Sequence, residues 1–134
     1  MSALDKCHPQ VVRAVEKDGW TVSPLPFTLI IDRRNRVFID IEAHQNNQQI
    51  MIVEVKCFSN SAIETTDLYS AVGQYMIYRH LLESKNLSYP LYLAVPKHAY
   101  EGIIQRMAMT FMQKNDVKLI VVDLDDEVIT RWMV

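Results

Sequence analysis

"FIDIEAHQNNQQIMIVEVKCF", residues 38–58, is the stretch on which the fold turns. Two apolar runs flank a polar turn, and each run carries charge at alternate positions. Side chains of a strand alternate between faces. Ile50, Ile52, Glu54 and Lys56 therefore share one face, and Met51, Val53, Val55 and Cys57 the other. On the preceding run Phe38, Asp40 and Glu42 share a face, opposite Val37, Ile39 and Ile41. The purely apolar faces are expected to pack together on a helix. Opposed residues of an antiparallel pair point the same way. A loop with an odd number of residues centred on Asn47 sets Asp40 opposite Glu54 and Glu42 opposite Ile52. A two-residue Asn46-Asn47 turn would put Asp40 and Glu54 on different faces unless a bulge intervened.

Two carboxylates about 5 Å apart repel by roughly 3 kcal/mol at an effective dielectric near 20. Lys56 offsets part of that, and a divalent cation would reverse its sign. Mg²⁺ needs only one or two protein carboxylates and keeps several waters. The pattern thus makes Asp40 and Glu54 candidate ligands of Mg²⁺ or Mn²⁺, with Lys56 as an electrostatic catalyst beside a phosphate. An E-x-K strand on a solvated face is common and means little alone. The combination is more specific: an acid fourteen residues earlier, across a hairpin, in strands too apolar for an exposed edge.

Working outward, the chain has the length of one domain, residues 1–134. Residues 9–18 read as a helix, with Pro9 in its first turn and Gly19 just past its end. Phe27–Ile31, Val37–Glu42 and Ile50–Phe58 read as a three-stranded meander. Ser61 to Glu64 has the form of a capping box opening a helix that runs to Ser84. Tyr89–Val95 is a strand. Lys97–Lys114 is a helix with Ile103, Ile104, Met107 and Phe111 inward and its methionines filling core gaps. Val117–Asp123 and Glu127–Met133 are strands joined by an acidic turn, for which a charged hairpin is a better reading than a cation loop. The order is α-β-β-β-α-β-α-β-β, predicting an α/β domain with one mixed central sheet flanked by helices.

The formal net charge is −2, from 14 basic and 16 acidic residues. A domain gripping duplex DNA unaided usually shows a basic face, so such a face here is local or a partner supplies it. Arg33, Arg34 and Arg36 form the one basic cluster and could contact phosphate; a solvated turn is the competing reading. No apolar run approaches the roughly 18 residues of a membrane span, and no membrane role is expected. The N-terminal residues lack the apolar stretch of a secretion signal. Cys7 and Cys57 lie far apart and match no metal-ligand spacing, so reduced thiols in a cytoplasmic protein are expected.

The acid–E-x-K arrangement resembles the PD-(D/E)xK nuclease-like superfamily, with Asp40, Glu54 and Lys56 at its three positions and without its leading proline. More narrowly, nearly the whole chain is similar to the fdxN element excision controlling factor family, XisH. The resemblance is carried by "VEKDGWTVSPLPFTL" (15–29), "FIDIEA" (38–43), "VEVKCF" (53–58), "AVGQYMIYR" (71–79) and "LYLAVP" (91–96). It implies a restriction-endonuclease-like fold, DNA as ligand, and a role in programmed excision of a DNA element during cyanobacterial heterocyst development. It also implies a small partner protein of the XisI family; self-association is a further option. Asp32 and Glu42 are alternates for the first acid.

Gln74 and Tyr78, four apart on one helix face, resemble the Q-x-x-x-Y of RecB-type nucleases, where the Gln organises the site; a core Tyr with a structural Gln is the plain alternative. His8 and Glu16, on the first helix, are accessory candidates weighed against structural and solvated readings. Two functions follow: a metal-dependent endodeoxyribonuclease, or a catalytically silent accessory factor that binds a partner and DNA.

Overall fold

A computed structural model describes residues 6–46 and 49–133. Helix α1 (His8–Lys17) starts with Pro9 in its first turn and ends before Gly19, whose φ of +94° glycine adopts without strain. The strands are β1 (Thr21–Val22), β2 (Phe27–Ile30), β3 (Arg36–Ile39), β4 (Ile41–Gln45), β5 (Gln49–Val55), β6 (Leu91–Pro96), β7 (Leu119–Asp123) and β8 (Val128–Met133). The main sheet has the order β1-β4-β5-β6-β7-β8. Its central pairs, β5–β6 and β6–β7, are parallel, and the outer pairs are antiparallel. Parallel neighbours need long crossovers. Helix α2 (Glu64–Ser84) supplies the first, and the helical stretch from Lys97 to Lys114 the second.

Both sheet faces are covered. Val11, Ala14 and Val15 of α1 pack on Ile41, Ala43, Met51, Val53, Val55, Ala94 and Ile120. Leu68, Ala71 and Tyr75 of α2 join Ile52, Leu93, Val95, Leu119 and Val121 on the other side. This two-sided burial explains the near-continuous apolar runs of β5, β6 and β7.

The expected three-stranded meander is corrected. Val37–Glu42 is not one strand: the chain bends at Asp40, and β3 pairs with β2 in a separate two-stranded sheet while β4 pairs with β5. Ile39 and Ile41 would share a face in a straight strand. The bend sends Ile39 into the α2-side core and Ile41 into the α1-side core, and both are fully buried. The apolar faces therefore do not meet on one helix, and one sheet becomes a sheet plus a hairpin. A short strand, β1, also precedes the expected ones.

Two helix details differ as well. The side chain of Asn60, not Ser61, caps the turn before α2, accepting from the Ala62 amide at 3.0 Å. After β6, α3 (Lys97–Ala99) runs into a π-helical turn, Tyr100–Ile104, then α4 (Gln105–Met107) and α5 (Met109–Lys114). A π turn inserts a residue and rotates everything after it. The inward positions become Ile103, Ile104, Ala108 and Met112, while Met107 and Phe111 are exposed.

The cysteine expectation is also corrected. Cys7, at the start of α1, and Cys57, just past β5, form a disulfide across 50 residues of sequence. Helix α1 lies over the end of β5, so distance along the chain imposes no distance in space. The bridge leaves no free thiol among the described residues, against the expectation of reduced cysteines. No described helix is long and apolar enough to cross a membrane.

Candidate active site

The β4–β5 register is the one the odd loop required. Ile41 pairs with Val53, Glu42 with Ile52 and Gln45 with Gln49, each pair of numbers adding to 94. The centre of the turn, Asn47, lies outside the described residues. Asp40 sits one step beyond the last pair. The Asp40 amide donates to Glu54 Oε1 at 3.4 Å, and the Val55 amide donates to Asp40 Oδ2 at 2.8 Å. The Asp40 carboxylate thus takes the place a backbone carbonyl would hold if the ladder continued. The residue that ends the strand is locked to β5 by its side chain, and this brings the two acids together.

Glu54 is the one charged residue buried among the described residues, at 6% exposure. Burial, and next the charge of Asp40, push its carboxyl up to about 8; the two carboxyl groups also hydrogen-bond, and Lys56 opposes the rise. Lys56 is half-buried on the same face, its Nζ 3.5 Å from Ser70 Oγ of α2. Tyr78 lies within electrostatic reach of both acids. Burial first, then Glu54 and Asp40, raise its phenol to about 12. One turn earlier Gln74 carries a buried Oε1 with no hydrogen-bond partner among the described residues. A buried acceptor left alone costs about 1–3 kcal/mol, a cost that a bound donor or cation would relieve.

On the α1 side, Asp40, His8 and Glu16 line a cavity of about 300 Å³ with Val22, Ser23 and the Pro24–Pro26 segment. His8 Nε2 is buried and likewise without a partner among the described residues. The structure therefore gathers Asp40, Glu54, Lys56 and Tyr78, places Gln74 on α2 between Ser70 and Tyr78, and sets His8 and Glu16 beside Asp40.

The alternates for the first acid go elsewhere. Glu42 Oε2 is 2.7 Å from His44 Nε2. Asp32 Oδ1 accepts from the Arg34 and Asn35 amides at 2.8 and 3.0 Å and holds the β2–β3 turn. Arg33 and Arg34 are exposed on that turn, and Arg36 is exposed at the start of β3. Arg36 is four residues from Asp40, about 13 Å along a strand. The acidic turn is structural: Asp123 Oδ1 accepts from the Asp125 and Asp126 amides at 3.0 and 3.1 Å. Ser70 went unnoticed in the sequence; its spacing of fourteen residues from Lys56, across a loop and a helix start, gives no local signal.

Among the described residues no three His, Cys, Asp or Glu side chains converge on one point. A zinc or calcium cage is therefore not what this donor set makes. Two carboxyl groups suffice for an octahedral cation that keeps most of its waters.

No functionally curated protein matches the chain. Two crystal structures do. One is an XisH family protein from Nostoc punctiforme PCC 73102, with 31% identity and a TM-score of 0.84 over 97% of this chain and 100% of that one. The other is a fdxN element excision controlling factor protein from Anabaena variabilis, with 34% identity and a TM-score of 0.80 over 95% and 97%. The family model described as XisH protein matches residues 1–130. The mixed α/β fold and the sequence agree, and the chain belongs to the XisH family.

Proposed function

We propose that this protein is an excision controlling factor whose site is a PD-(D/E)xK-type, Mg²⁺-dependent phosphodiesterase centre acting on DNA. One observation carries the reading: Asp40 and Glu54 meet where β4 begins, with Lys56 on the same face as Glu54. The restriction-endonuclease-like class of the fold belongs to the same proposal.

Asp40 and Glu54 would hold the ion, which when bound supplies Lewis-acid activation of water and charge neutralisation at phosphate. Glu54 gives up its proton to do so. The Lys56 ammonium, 3.5 Å from Ser70 Oγ, stands beside the developing negative charge of the phosphate. Gln74 offers its amide oxygen as an orienting acceptor. Tyr78, its phenol held protonated, can donate a hydrogen bond. DNA and a small XisI-type partner are the proposed macromolecular ligands.

The test is cleavage of branched, single-stranded and duplex DNA in Mg²⁺ or Mn²⁺, with and without that partner. Lys56→Ala should lower the rate at least about 10²-fold, the scale of losing one transition-state charge stabiliser. Mg²⁺ should raise the melting temperature of the wild type and not of Glu54→Ala.

A second reading is favoured by the net charge of −2: a silent accessory factor that binds DNA and partner without cutting. DNA binding with no metal-dependent cleavage and no Mg²⁺-induced stabilisation would establish it in place of the first.

A further inference from the structure

The β2–β3 hairpin leaves the main sheet and runs directly into Asp40. Its register sets Thr28 opposite Phe38 and Ile30 opposite Arg36. All four residues are exposed, so they form one outward face. Phe38 is 58% exposed and Ile30 59%, while Phe27, Leu29, Val37 and Ile39 on the inner face pack into the core. The outer face carries an aromatic ring, an aliphatic side chain and a guanidinium, with no acid. The tip adds Arg33 and Arg34. Its single acid, Asp32, is occupied by the turn amides and the Asn35 side chain. On a net acidic chain, three of the 14 basic residues are concentrated here beside an exposed aromatic ring.

We infer that the outer face of this hairpin is a binding platform for single-stranded nucleic acid, with Phe38 stacking an unpaired base and the arginines holding phosphates. The inference deepens the proposed function by naming a substrate class, and it rests on that reading for the link to cleavage. The chemistry is that of single-strand binders, in which basic side chains track the backbone and aromatic rings take the bases. In a duplex the base faces are stacked on one another, so a ring meets one only at the cost of unstacking a base step. Phe38 lies two residues from Asp40, within about 7 Å along the backbone. A base on Phe38 would therefore belong to a nucleotide next to the one whose phosphate reaches the acids. Arg36 and the tip lie farther along the same track.

The experiment is fluorescence anisotropy in EDTA with a labelled 12-nucleotide single strand and its duplex, across a salt series. Wild type should prefer the single strand. Phe38→Ala and Phe38→Leu should each weaken it about ten-fold, and Phe38→Trp should hold or tighten it. Replacing Arg33, Arg34 and Arg36 with Ala should reduce the slope of log K against log salt by about 2. Equal affinity for duplex and single strand, or single-strand binding unchanged in Phe38→Ala, overturns the inference. So does full affinity in Phe38→Leu, which would mark an apolar surface for a protein. Binding is read without metal and cleavage with it. Cleavage by wild type with normal binding by Phe38→Ala therefore sinks the platform alone. Loss of binding in Phe38→Ala without any cleavage by wild type supports the platform and sinks the nuclease.

Discussion

Burial and Asp40 place the Glu54 carboxyl at about 8, far above the range of a free glutamate. The consequence for stability has a definite sign. Between about 4.5 and 8 the unfolded chain has released this proton while the folded protein still holds it. Stability in EDTA should therefore be fully present at acid pH and fall as pH rises through this window, by on the order of a few kcal/mol. Glu54→Gln cannot titrate, so urea unfolding of this variant should show a much flatter profile and higher stability than wild type at pH 8. A wild type whose stability is level from pH 5 to 8 would contradict the burial of an ionisable pair. Glu54 and Lys56 were legible as a pair because a strand has a period of two, and Asp40 because the hairpin register points it at Glu54, while the bend at Asp40 and its side-chain lock on β5 were not. His8, Gln74 and Tyr78 were legible only as one-dimensional positions; that His8 and Gln74 each carry a buried polar atom with no partner among the described residues is a property of the assembled fold.

The hinge between layers is Tyr75 of α2. Its hydroxyl donates to the Leu91 carbonyl at 3.0 Å and accepts from the Lys118 amide at 3.1 Å, joining the helix to the starts of β6 and β7. Tyr75→Phe keeps the ring and strands both backbone groups. The variant should lose about 2 kcal/mol in chemical denaturation, with the fold otherwise retained. Removing the Asn60 side chain by Asn60→Ala should cost about 1 kcal/mol. Helices and strands were mostly evident from apolar periodicity, and the misreadings share a cause. Val37, Ile39 and Ile41 alternate without a break, so nothing local announces that Asp40 turns the chain between two cores. The stripe through Met107 and Phe111 assumed an unbroken helix, and the π turn at Tyr100–Ile104 shifted it by one position.

At the scale of the molecule, the covalent bond between Cys7 and Cys57 spans most of what is distinctive. Closing a loop of this length stabilises a fold by up to about 4 kcal/mol through the unfolded chain. Urea unfolding with and without dithiothreitol should differ by roughly that amount, and Cys57→Ser should match the reduced protein. The ion pair of Arg13 with Glu127 and the bond from Lys17 Nζ to the Asp126 carbonyl hold α1 to the β7–β8 turn, so α1 should stay docked at its other end after reduction. The bridge also makes residues 7–57 a covalent ring that contains both acids, Lys56 and the arginine-tipped hairpin. A trypsin nick at Arg33, Arg34 or Arg36 would open that ring without releasing either piece. The cut protein should migrate as a single species on a denaturing gel and separate into two fragments only once a thiol is added.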